Sequence, residues 1–239
     1  MAFDTIGSNA KKKGLKINEE KTQMLSISSA RYDTKACIDL GSDGRVESSE
    51  TLKVLGFTFS NKPTVEAQIN TLMRKANKRF FVLLRHKRAG IPKPKLKDLY
   101  TSVQRSVLEY SSVVFHSQLN KHQTNLLEKV QKKTLRAIYG YELTYQQLLE
   151  KSQLPSLEER RTEALAKFAK KTSENPKYAN TWFPQRNIRQ HTRANNPFTE
   201  EIATGSRLYK SPVFAMRRLL NEGEEDNTAD LTGLFSDPY

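Results

Sequence analysis

At Pro63 the hydrophobic period of this chain changes, and the change governs what each side of it can fold into. Beyond it, Val65, Ile69, Leu72, Met73, Ala76, Phe80, Leu83 and Leu84 recur at steps of three and four, which places them on one face of a long helix reaching about Arg88. Gly90 and Pro92 end that helix, because glycine takes the left-handed conformation at a helix C-terminus and proline cannot continue the ladder. Before Pro63 the runs "MLSIS", "KACIDL", "RVESS" and "LKVLGFTFS" are strand-like, with Ser42, Asp43 and Gly44 supplying a hairpin turn. They predict a small antiparallel sheet, too small to bury both faces unaided. Residues 2–13 read as the end of a helix with Gly14 just past it.

Further helices follow. One begins near Lys93 with Leu96, Leu99, Tyr100, Val103, Val107 and Tyr110 turned inward. Another starts at Asn120, an N-cap residue, and runs through Leu126, Leu127, Val130, Thr134 and Ile138 to Gly140. In "PSLEERRTEALAKFAKK", Ser156 and Glu159 form the capping-box pattern of a helix start. From about Asn175 to Thr204 the chain is polar and interrupted by Pro176, Pro184 and Pro197, so it reads as irregular, with one short helix in "SPVFAMRRLLN". The fold class is α+β: a small antiparallel sheet over residues 1–62, a mainly α-helical bundle over 63–173, a basic and mostly irregular region over 174–221, and an acidic, disordered tail over 222–239.

Charge narrows the partners. The chain carries 40 Lys and Arg against 26 Asp and Glu, a net charge of +14, yet Glu222, Glu224, Glu225, Asp226, Asp230 and Asp237 all lie in a tail without a basic residue. Such an excess favours polyanions, nucleic acid first and an anionic membrane second. Lys129, Lys132, Lys133 and Arg136 share one face of the third long helix, opposite its apolar residues. Arg74, Lys75, Lys78 and Arg79 repeat the theme on the first, and Arg85, Lys87, Arg88, Lys93, Lys95 and Lys97 surround the turn after it. Like charges on one face repel unless a polyanion offsets them, and a groove lined by both helices would follow a sugar-phosphate backbone. A solvated cationic face with no partner has the same pattern, so charge alone leaves both readings open. No aromatic ladder interleaves with these cations, which favours recognition of shape and backbone over base stacking.

Other chemistry is poorly served. The chain contains no Asp-Asp pair and no Asp-x-Asp, and Asp33, Asp39 and Asp43 fall where turns explain them. His86, His116, His122 and His191 lack ligand spacing, and Cys37 alone cannot form an intrachain disulfide or a cysteine-based zinc site. No phosphate-binding glycine loop or nucleophile elbow is present. No apolar leader and no run of about 20 apolar residues occurs, so an intracellular protein without a membrane partner is expected.

The order of segments is more specific than any one of them. "GLKINEEKT", "LKVLGFTF", "AQINTLMRKANKRFFVLLRHKRAGIP", "LKDLYTSVQRSVLEYSSVVFH", "NLLEKVQKKTLRAIYG" and "LPSLEERR" together resemble the downstream part of the reverse transcriptases of non-LTR retrotransposons (LINEs), the jockey-like group in particular. The resemblance covers about residues 10–172 and, more loosely, "SRLYKSPVFAMRRLLN". It implies that residues 1–62 are a partial palm, in which Lys21 stands near the incoming nucleotide and assists proton transfer to pyrophosphate, while Asn18 and Thr22 shape the turn. It also implies that Leu55 and Gly56 belong to a primer-grip hairpin and that the helices after them are the thumb, which holds RNA or RNA/DNA duplex by its backbone. The family's Mg²⁺-binding aspartates lie upstream of this block and have no counterpart here. No catalytic residue, metal site or cofactor is therefore expected in the chain, and polymerase activity is not expected of it. The alternative is a helical protein-interaction module, with a partner docked on the exposed palm face, or a remnant without function.

Overall fold

The architecture comes from a computed structural model, which describes residues 2–27, 37–39, 45–62, 64–185, 198 and 209–222. It is α+β, with short antiparallel strands followed by helices. Two compact units divide between Thr71 and Leu72, inside the first long helix. The Ser42–Gly44 turn, Asp33, His191, most of the stretch from 175 to 204 expected to be irregular, and the acidic tail beyond Glu222 lie outside the described residues; the described start of that stretch is instead helical over Pro176–Trp182, because the Asn175 side chain caps it and a proline suits the first helical position.

In the first unit, α1 (Ala2–Lys12) ends in two interlocked bonds, Gly14 N–H to the Lys11 carbonyl and Leu15 N–H to the Ala10 carbonyl. They close only with a left-handed residue between them, and Gly14 sits at φ +68°. β1 (Cys37–Asp39) pairs antiparallel with β2 (Arg45–Glu47), Ile38 opposite Val46. Of the expected strand "MLSIS", the described residues Met24 to Ile27 make one parallel bridge, Met24 to Ser48. "LKVLGFTFS" is two strands: β3 (Thr51–Val54) and β4 (Phe57–Ser60) form a separate two-stranded sheet joined by Leu55 and Gly56. Both turn residues have positive φ, 48° and 84°, the geometry of a two-residue hairpin whose twist matches its strands. α2 (Glu66–Arg88) begins in this unit, where the buried Gln68 accepts a 2.9 Å bond from the Thr58 N–H.

The second unit takes in the rest of α2. A continuous helical stretch follows: α3 (Lys93–Leu99), a π-helical segment (Tyr100–Arg105) and α4 (Ser106–Leu108). After it come α5 (Ser112–Phe115), α6 (Lys121–Tyr139), α7 (Tyr145–Ser152), α8 (Leu157–Ser173), α9 (Pro176–Trp182) and α10 (Pro212–Glu222). Asn120 with Gln123, Thr144 with Gln147 and Ser156 with Glu159 each form a reciprocal capping box, so three consecutive helices start on side chains that satisfy their own first N–H groups. Apolar packing includes a cluster of Leu83, Leu96, Tyr100 and Ile138 and another of Leu165, Ala169, Phe183, Ala215, Met216 and Leu219.

The π-helical segment corrects the expected inward face of the Lys93 helix. A strict α-period puts Val103 inside, but it is exposed, while Gln104 is buried together with Val107 and Leu108; Tyr110, also expected inside, is exposed because the helix has already ended at Leu108. A π-turn inserts one extra residue and rotates everything after it by about a quarter turn. Gln104 can occupy that inward position because its amide is satisfied. It donates to the Ala76 carbonyl (3.3 Å) and accepts from the Thr134 hydroxyl (3.2 Å).

One carboxylate ties four elements together. Glu128 on α6 accepts from the N–H groups of Glu158 (2.8 Å) and Leu157 (3.4 Å), the first two residues of α8, and from the Tyr145 hydroxyl on α7. Tyr145 in turn accepts from Gln131, which also donates to the Pro155 carbonyl and accepts from Tyr100 in the π-segment. The guanidinium of Arg161, with a fully buried side chain, lies 3.9 Å from Glu128, and its burial pulls its pKa down despite that anion. A negative charge at a helix N-terminus is favoured by the helix dipole, so Glu128 serves α8 and Arg161 at once. Replacing Glu128 by Ala leaves Arg161 buried without its counter-charge and should cost about 3 kcal/mol in urea denaturation, against about 1 kcal/mol for Ser156→Ala at the cap.

His116 lies in the same interior, its Nε2 3.1 Å from the Thr162 hydroxyl. Burial, reinforced by the charge of Arg161, lowers its pKa from 6.5 to about 3. The unfolded chain therefore binds a proton near pH 6.5 that the folded chain refuses until about pH 3, and the stability held above 6.5 is lost as pH falls through that window. Urea midpoints measured from pH 7 down to about 4 should drop, and more steeply than in His116→Gln.

Candidate nucleic-acid interface

The cations singled out by sequence divide into two groups once their helices are packed. On α2, Phe80 is buried toward α6, and the Lys133 ammonium lies 4.4 Å above its ring centre. Two turns later, Lys87 donates to the carbonyl of Ala137 on the same helix α6. Both contacts advance in the same direction, so the two helices run side by side through this stretch, and the cationic face of α6 borders α2.

Lys129 and Lys133 are exposed on that face, with Lys132 half-buried beside them. Arg136 is half-buried too, and its Nε is enclosed without a hydrogen-bond partner. On α2, Lys78 and Arg85 stand two turns apart on the side away from the core, with Arg74 a turn before Lys78, and all three are exposed. Lys75, Lys78, Lys129 and Lys132 have no acidic partner among the described residues. No acid lies on α2 between Leu72 and Arg88, and the only acid on α6 is Glu128, which is turned inward to α8. The strip therefore carries one sign of charge.

Other cations are held by the fold itself. Arg79 donates to the carbonyl of Val103, in the π-segment, at 3.0 Å. Lys75, one turn earlier, shares that edge. Lys87 supplies a proton to the last turn of α6, and Lys97 to the last residue of α7, Ser152, at 3.4 Å, the favourable place for a cation on a helix dipole. None of these uses is visible in a one-dimensional charge pattern.

Sequence reasoning passed over Phe81. It falls off the three-and-four spacing of the buried face and is 64% exposed, directly on the strip and between Lys78 and Arg85. Its ring meets that of Phe80 edge-on, centres 6.3 Å apart. The signal was the doublet itself: two adjacent aromatics on a helix cannot both face the core.

In the first unit, the Asn18 carboxamide accepts from the Lys21 N–H (3.1 Å) and the Thr22 hydroxyl donates to the Asn18 carbonyl (2.7 Å), closing the short 3₁₀ turn Glu19–Lys21 and leaving Lys21 exposed. Leu55 and Gly56 form the tip of the β3–β4 hairpin, with Leu55 89% exposed. Among the described residues no group of three or more His, Cys, Asp or Glu could hold a metal ion, and no helix is long and apolar enough to cross a membrane.

If Arg79 is structural and Lys78 is not, alanine at each separates them. Arg79→Ala should cost about 1 kcal/mol in chemical denaturation through the lost Val103 bond, and Lys78→Ala should stay within about 0.5 kcal/mol of the parent.

Comparison with family models, curated proteins and solved structures yields no match to this chain.

Proposed function

We propose that the chain is the palm-to-thumb portion of a non-LTR retrotransposon reverse transcriptase, and that the strip formed by α2 and α6 holds RNA or RNA/DNA duplex through its phosphates. The observation that carries the binding reading is the segregation of charge. Lys78 and Arg85 project from the outer face of α2 and Lys129 and Lys132 from α6, with no acid on the exposed face of either helix, while the single acid of α6 is used inside. Long, flexible cations on a helix surface suit a backbone whose charges recur regularly, and they read no sequence. The segment order described above supports the family assignment. No catalytic step is assigned to these residues, because the sequence contains no paired aspartates to hold the metals that phosphoryl transfer uses.

A second reading has its own observation. In the first unit the large apolar side chains of Ile6, Leu15, Ile27, Val54, Leu55 and Phe59 are all exposed, and a protein partner could cover them. This favours a protein docked on the palm face, whether or not the strip binds nucleic acid.

Titrating a fluorescent RNA/DNA hybrid with the full chain over a range of salt tests the first reading. Log affinity should fall linearly with log salt, at about 0.9 per phosphate engaged, and Lys129→Ala or Lys132→Ala should each reduce that slope by about one contact. Absence of binding at low salt, or binding that ignores salt, contradicts it.

A further inference from the structure

Resting on the nucleic-acid reading of the α2–α6 strip, we propose that Phe81 is a stacking seat for an unpaired base. The strip would then take a duplex that carries an unstacked nucleotide in preference to an uninterrupted one. A lone exposed phenylalanine is ordinary on a protein surface. Phe81 differs in two respects. Lys78 precedes it by three residues and Arg85 follows by four, so a cation lies one turn to either side on the same face. The ring is also braced: it rests edge-on against Phe80, which is buried and has the Lys133 ammonium over its own ring. A positioned ring loses less freedom on binding than a swinging one.

An intact duplex offers a convex helix only phosphates and sugar edges, to which Lys78 and Arg85 are suited and a phenyl ring is not. An unpaired base offers a π-face, and the flanking cations hold the phosphates on either side of it while the ring stacks. An anionic membrane would also attract the cations, but the exposed apolar residues on this face of α2 are Phe81 and Val82 alone, far short of the broad apolar stripe of an interfacial helix. The sequence pattern argues against a ladder of stacked bases, and a single ring supports one base.

The test measures fluorescence anisotropy of the full chain with two probes, a blunt RNA/DNA hybrid and the same hybrid with a short single-stranded extension. The extended hybrid should bind about tenfold more tightly. F81A should abolish that gain while leaving the blunt-hybrid affinity and its salt slope unchanged, and F81W should retain it. Because Phe81 is exposed, the melting temperature of F81A should match the parent. The proposal is overturned if F81A keeps the preference, or if the parent binds both hybrids equally with the same salt slope, an outcome that leaves the backbone reading standing. It is equally overturned if F81A loses binding to phosphatidylserine vesicles but not its discrimination between hybrids. Failure of both hybrids to bind at low salt removes the backbone reading and this one together.

Discussion

The second unit depends on where one negative charge is spent. Glu128 is the only acid on α6, and it points inward, against the first N–H groups of α8, the Tyr145 hydroxyl and the buried Arg161. A carboxylate in such a setting compensates three groups that are costly to bury alone: the start of a helix, a phenol and a guanidinium. The same placement empties the outer face of α6 of negative charge. The interior anchor and the exposed cationic strip are thus two results of a single choice of direction for one side chain, and the stability of the bundle and its surface potential are linked through it.

The π-segment at Tyr100–Arg105 is the second organising feature. It brings Gln104 into the core between Ala76 and Thr134 and pushes Val103 outward, where its carbonyl accepts from Arg79. A cation from α2 is thereby fixed against the π-segment. Lys87 and Lys97 are likewise fixed at helix C-termini. What remains available to a partner is a narrower set than the chain's large positive charge suggests, and it lies on the outer face of α2 and the exposed face of α6.

Much of the fold was legible in the sequence, for identifiable reasons. Asn120 and Ser156 marked helix starts because capping chemistry is local. Gly14 and Gly90 marked helix ends because left-handed backbone at the C′ position favours glycine. The capping box at Thr144 was equally local and was missed only because the helix it opens is short. The inward turn of Gln104 was not legible, since a π-turn leaves no trace in apolar spacing and depends on hydrogen bonds from other helices. For the strip, the cationic faces could be read but not their division. Arg79 and Arg74 look alike until the carbonyl of Val103 is placed beside one of them. Phe81 was hidden for the opposite reason, being apolar where the pattern called for charge.

The central claim is that one surface, and not the positive charge as a whole, engages a polyanion. Lysine acetylation read by mass spectrometry, with and without saturating RNA/DNA hybrid at low salt, addresses that residue by residue. Lys78, Lys129 and Lys132 should be protected together, while Lys53 on β3 and Lys171 on α8, both exposed, react as in the free protein. Protection spread evenly over all exposed lysines, or confined to lysines outside α2 and α6, would contradict the account.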